Sequence, residues 1–149
     1  MSDPSRAHIL LVEDNRMDIE LTLDAFREAG MKNTISVARD GGEALDYLFG
    51  RGPYADRSVH PFPDIVLLDL KLPGIDGHEV LRQIKSAPAL KRLPVIVLTS
   101  SREEGDRLLC YERGANSYLV KPVSFEGFVR VVRQIGDYWI GLNVGPPRG

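Results

Sequence analysis

The chain has 149 residues, 43% of them hydrophobic, enough for one domain with a substantial core. Its formal charge of −2 supplies no basic field, and no Lys/Arg cluster follows the last apolar run, so nucleic-acid binding is not expected. No apolar run approaches the ~20 residues of a membrane span and residues 1–6 lack a signal-peptide apolar segment, so the expected location is the cytoplasm.

A four-residue apolar run at 9–12 meets Glu13 and Asp14, after which Asn15 can cap a helix with Ile19, Leu23 and Phe26 on one face, ending near Gly30. Residues 34–38 alternate like a strand, and 42–49 carry a second helix through Ala44, Leu45 and Leu48. Residues 50–63 then contain Gly50, Gly52, Pro53, Pro61 and Pro63, which predict a long surface loop. A second apolar run, 65–68, ends at Asp69. The Leu72-Pro73-Gly74 turn follows, then a helix opened by Asp76 with Glu79 in a capping-box relation. A third run, 95–98, ends at Thr99, and the next helix is expected to open at Ser101 with Glu104 in the same relation and to close near Gly114. Cys110 falls inside that helical pattern, where it reads as a small buried hydrophobe rather than a reactive thiol. A fourth run, 118–120, meets Lys121-Pro122, a bond at which proline permits a cis form that would aim the lysine inward. The last helix runs from Ser124 towards Trp139. The expected division is a flexible 1–7, a domain over 8–140 and a tail over 141–149.

Short Val/Ile/Leu runs separated by helical spacing predict buried strands of a parallel sheet. Five such β-α units give a flavodoxin-like (βα)5 doubly wound α/β fold with strand order 2-1-3-4-5. Ligand sites of such sheets lie outside the carboxyl ends of the strands, where Glu13, Asp14, Asp69, Thr99 and Lys121 would meet.

Each of these residues alone has a plainer reading, as a loop-start carboxylate, a strand-end threonine or a solvated lysine. Their conjunction argues otherwise. Three clustered carboxylates repel by ~4 kcal/mol per pair at ~4 Å and an effective dielectric of ~20, so they call for a hard divalent cation, and Mg²⁺ suits an all-oxygen set. An Asp carboxylate can attack phosphorus to form an acyl phosphate if a cation and an ammonium neutralise the incoming oxygens. Lys121 offers the ammonium and Thr99 a hydroxyl donor. Tyr118 reads by position as an ordinary strand aromatic.

The segments L-V-E-D-N (11–15), L-L-D-L-K-L-P-G-I-D-G (67–77), V-L-T-S (97–100), G-A (114–115) and Y-L-V-K-P (118–122) resemble the receiver domain of bacterial two-component response regulators. The resemblance spans residues 8 to 135, and the intervals of thirty residues from Asp69 to Thr99 and twenty-two from Thr99 to Lys121 match it. It implies that Asp69 is the phosphoryl acceptor, that Asp14, Asp69 and the Lys71 carbonyl bind Mg²⁺, and that Glu13 holds a metal-bound water. It implies further that Thr99 and Tyr118 form a switch pair and that Lys121 clamps the phosphoryl oxygens. Such a chain is no conventional enzyme but an acceptor with intrinsic autodephosphorylation. The long 50–63 loop, with A-L-D-Y-L-F-G-R-G-P-Y at 44–54, resembles the single-domain regulators that partner phytochrome-type histidine kinases, and the plainer alternative is a tolerated surface insertion. The implied partners are a sensor histidine kinase and a downstream phosphotransfer or target protein, with residues 101–132 as the output face.

A haloacid-dehalogenase phosphatase would need a second Asp where Lys71 stands, and a dinucleotide site would need glycines where the chain has Glu13-Asp14-Asn15-Arg16. A phosphorylation-independent pseudo-receiver is the remaining alternative, but such modules usually lack an acidic residue, the Thr/Ser or the Lys, all present here. Phe125, Phe128, Val132, Ile135 and Trp139 form one apolar seam on the last helix. Val131, Tyr138, Leu142 and Val144 lie outside it, which predicts a two-fold homodimer through the last helix and tail.

Overall fold

The computed structural model describes residues 7–142, with side chains through Trp139. Five strands, β1 (Ile9–Val12), β2 (Ile35–Ala38), β3 (Ile65–Leu68), β4 (Val95–Thr99) and β5 (Ser117–Val120), alternate with five helices. The helices are α1 (Arg16–Glu28), α2 (Gly41–Phe49), α3 (Gly77–Ser86), α4 (Glu104–Glu112) and α5 (Phe125–Ile135). All strand pairs are parallel and the order is β2-β1-β3-β4-β5, as the pattern predicts.

Because successive side chains of a strand face opposite ways, β1, β3 and β4 each feed two cores. Leu10, Val12, Val66, Leu68, Val95 and Val97 pack with Ala44, Leu48, Leu81, Ile84 and Cys110 on one face. Ile9, Leu11, Ile65, Leu67 and Ile96 pack with Phe26 of α1 and with Phe128, Val132 and Ile135 of α5 on the other. The central strands are therefore apolar at every position but the last of β4, Thr99. Val12 pairs with Leu68, so Glu13 and Asp69 leave the sheet as immediate neighbours.

Local chemistry sets the helix starts. Asn15, Asp40, Asp76 and Ser124 accept hydrogen bonds from the amides of Asp18, Glu43, Glu79 and Gly127. The capping box at Asp76 is half made: the Glu79 side chain turns to Arg82 and Gln83 instead of back to the cap. At α4 the expectation is wrong. The helix begins at Glu104 behind Glu103, which gives no side-chain cap; the Ser101 hydroxyl instead accepts from the Glu103 amide at 3.3 Å while it donates to Asp106.

Three further expectations need correction. The Lys121–Pro122 bond is trans, since no cis peptide bond occurs among the described residues. On α5, Phe125 is 39% exposed and Val129 takes its place in the buried face. Val131, expected outside the seam, packs partly buried against the same core. Leu142's side chain and the tail from 143 lie outside what is described.

The long loop is anchored. Its first residues form a 3₁₀ turn, Gly52–Tyr54, and Arg57 donates to the carbonyls of Tyr47 and Leu48 at 2.8 Å each, satisfying the open end of α2. Tyr47 lies in the middle of a cluster of rings with Tyr54, His60 and His8.

Candidate functional site

The carboxyl edge of the sheet collects the residues singled out in the sequence. Glu13 and Asp69 are buried and Asp14 is exposed, and one carboxylate oxygen from each lies within 4.8 Å of the others. Lys121, at the end of β5 and only 9% exposed along its side chain, sends its ammonium among them. Its Nζ donates to Glu13 Oε1, to Asp69 Oδ2 at 3.1 Å and to Asp18 Oδ2 at 2.8 Å. Three N–H donors thus meet three carboxylates.

Asp18 is the residue that sequence reasoning missed. It lies in the first turn of α1, where the Asn15 cap holds its amide, and its only sequence signal is that position one turn beyond Asp14.

Negative charge outweighs positive here. Burial pushes the Glu13 carboxyl up to about 7 against the hydrogen bond from Lys121, and the charge of Asp69 adds to the push. For Lys121, burial works against the ammonium, but hydrogen bonds to Asp18 and Glu13 with the charges of Asp69 and Glu13 overcome it and hold the group above its usual range. The donor set is oxygen only, with surplus negative charge and no His or Cys among its acids, which fits a hard divalent cation such as Mg²⁺.

Asp69 is further held by the Lys71 amide, 3.4 Å from Oδ1, with Lys71 itself exposed. Thr99 is fully buried, and its Oγ1 accepts from the Ser101 amide at 3.3 Å. Ser101 is a junction. Its hydroxyl donates to Asp106 Oδ2 at 2.6 Å, and its carbonyl accepts from the Tyr118 hydroxyl at 3.0 Å. Asp106 Oδ1 in turn lies 2.9 Å from His78 Nε2 of α3. The segment after Thr99 is thereby tied to α4, α3 and β5 at once, and Tyr118, unremarkable by sequence position, is joined to it through one hydrogen bond.

The chain matches the response regulator receiver domain family over residues 9–133. It is 46% identical over 138 residues to the probable methanogenesis regulatory protein FilR2 of Methanothrix harundinacea, covering 93% of this chain and 86% of that one. The phosphorylated cyanobacterial phytochrome response regulator RcpA superposes with a TM-score of 0.88 at 39% identity, over 95% of this chain and 99% of that one. The Mn²⁺-bound form of the response regulator Rcp1, known from Synechocystis, does so with a TM-score of 0.84 at 37% identity over the same shares. No helix among the described residues is long and apolar enough to cross a membrane.

Proposed function

Since the chain belongs to the response regulator receiver domain family, we propose that Asp69 accepts a phosphoryl group from the phosphohistidine of a sensor kinase. The observation that carries this reading is the contact of the buried Asp69 carboxylate with the Lys121 ammonium at 3.1 Å, beside an all-oxygen cation site. In the reaction an Asp69 oxygen attacks phosphorus; the new P–O bond forms as the P–N bond breaks, and the departing imidazole takes up a proton. Asp14, Asp69, the Lys71 carbonyl and Glu13, the last through a water, are the groups that would hold Mg²⁺, which when bound neutralises the phosphoryl oxygens. Lys121 pairs with a phosphoryl oxygen and the Thr99 hydroxyl donates to another. In moving to the phosphoryl group the Thr99 hydroxyl pulls on Ser101, whose amide it accepts, and through the Ser101 carbonyl on Tyr118, so α4 and β5 shift to a second arrangement. Hydrolysis of the acyl phosphate resets the protein, which is an acceptor rather than a conventional enzyme.

The donor proposed is a phytochrome-type histidine kinase in the cytoplasm. The likeness to RcpA and the anchored 50–63 loop support that choice. The output is protein contact with a downstream phosphotransfer or target protein. Self-association through α5 and the π-helical segment that continues it, Gly136–Leu142, is proposed with it, on the ground that Tyr138, edge-on against Trp139, stays 54% exposed. Light scattering is expected to give a dimer that Tyr138→Glu dissociates, and a monomeric wild type removes that part of the reading.

Intact mass after incubation with phosphorylated kinase or acetyl phosphate tests the central claim. One phosphoryl group is expected on the wild type with Mg²⁺ and none on Asp69→Asn. Labelling of the variant, or labelling in chelator, refutes it.

A further inference from the structure

Lys121 holds three carboxylates, and they are not equivalent. Glu13 and Asp69 belong to the acidic cluster that suits a divalent cation, whereas Asp18 stands outside it. Asp18 is 32% exposed along its side chain, against 3% for Glu13 and 8% for Asp69, so it faces the rim of the site. It is also firmly placed: Asn15 Oδ1 accepts its amide hydrogen bond at 3.0 Å, and the Thr22 hydroxyl donates to its carbonyl at 2.7 Å.

A cation entering the cluster draws Glu13 and Asp69 towards itself and repels the ammonium between them. The lysine then keeps one partner that the cation does not claim. We propose that Asp18 is a positioning residue that draws Lys121 from the cation site to its rim, freeing Glu13 and Asp69 for Mg²⁺ and leaving the ammonium beside the approach to Asp69. Without Asp18, Lys121 retains only the two carboxylates that the cation needs, and lysine and cation compete for the same oxygens. The inference rests on the receiver reading of the site, because it assumes that Glu13 and Asp69 serve the cation.

The plainer role for Asp18 is a charge at the α1 N-terminus that acts on the helix dipole and on the general field of the site. A double-mutant cycle separates the two, with Mg²⁺ dissociation constants read by calorimetry on Asp18→Asn, Lys121→Gln and the double variant. Asp18→Asn is expected to weaken Mg²⁺ binding about tenfold in the wild-type background and by less than about twofold in Lys121→Gln. Asp18→Glu is expected to recover most of the loss. An equal loss in both backgrounds, or no loss in the wild type, overturns the proposal while leaving the receiver reading intact. A wild type with no measurable Mg²⁺ affinity overturns both.

Discussion

Gly77 opens α3 directly beneath the proposed phosphoryl acceptor. A Cβ at this position would lie 2.3 Å from the Asp69 carbonyl oxygen, 2.5 Å from the Leu70 Cα and 3.0 Å from the Asp69 carbonyl carbon. All three atoms are backbone, so no rotamer change relieves the overlap. For the alanine methyl to reach ordinary contact of ~3.5 Å, α3 and the end of β3 must part by roughly 1 Å. That movement also stretches the 2.8 Å hydrogen bond from the Gly77 amide to the Leu70 carbonyl. Overpacking costs ~1–3 kcal/mol and the weakened hydrogen bond ~1 kcal/mol, against a helix-propensity gain of up to ~1 kcal/mol for Ala, so Gly77→Ala is expected to lose about 1–3 kcal/mol. The same displacement moves the Asp69 carboxylate relative to Lys121, now at 3.1 Å. A misplacement of ~1 Å at a reacting group costs up to ~100-fold in rate. Urea unfolding and the rate of phosphoryl uptake from acetyl phosphate, read by intact mass, measure the two effects. Gly105→Ala serves as the control, because a Cβ there meets nothing within 4 Å, and it is expected to match or exceed wild-type stability. A Gly77→Ala protein that keeps both the wild-type urea midpoint and the wild-type uptake rate refutes the predicted clash.

Arg57→Ala removes the two donors that close the end of α2 and is expected to cost ~1.5–3 kcal/mol, with faster proteolytic nicking within 50–63. Unchanged stability and nicking would show that the loop holds itself. Burial lowers the Lys85 ammonium to about 8, below its ordinary 10.5, so the folded chain releases that proton first. Between those values the unfolded chain binds more protons, and stability must rise with pH, by about 1–3 kcal/mol across the window. Chemical denaturation at several pH values is expected to show this slope in wild type and not in Lys85→Met. Burial pushes the Cys110 thiol up to about 11, so native protein is expected to resist a disulfide-exchange reagent at pH 8 and to react once unfolded. Rapid modification of the native protein contradicts that burial.

The sequence by itself determined the strands and the polar residues that end them. Ile9–Val12, Ile65–Leu68 and Val95–Leu98 are buried on both faces, so apolar side chains fill them up to Glu13 and Asp69, which follow their strands, and Thr99, the last residue of β4. Parallel order and right-handed crossovers then bring those ends to one edge, which made Glu13, Asp14, Asp69, Thr99 and Lys121 legible as a site. Local caps were legible for the same reason of short range: Asn15 and Asp76 each bond an amide three residues on, and Ser124, read as the start of the last helix, does the same. Tertiary structure decided the rest. The contact of Asp18 with Lys121 spans 103 positions and depends on the lysine side chain reaching from the end of β5 to the first turn of α1, which no periodicity encodes. Ser101 carries the local signature of a cap, yet its hydroxyl accepts from the Glu103 amide, two residues on rather than three, and donates to Asp106, which His78 of α3 also holds; the helix starts later than the motif predicts. Likewise α5 has more apolar positions than its buried face holds, and only its rotation against β1, β3 and α1 chose Val129 over Phe125. A side chain bonds or packs with whatever lies within a few ångströms, wherever it stands in the chain, so contacts such as these are settled by the folded arrangement rather than by spacing.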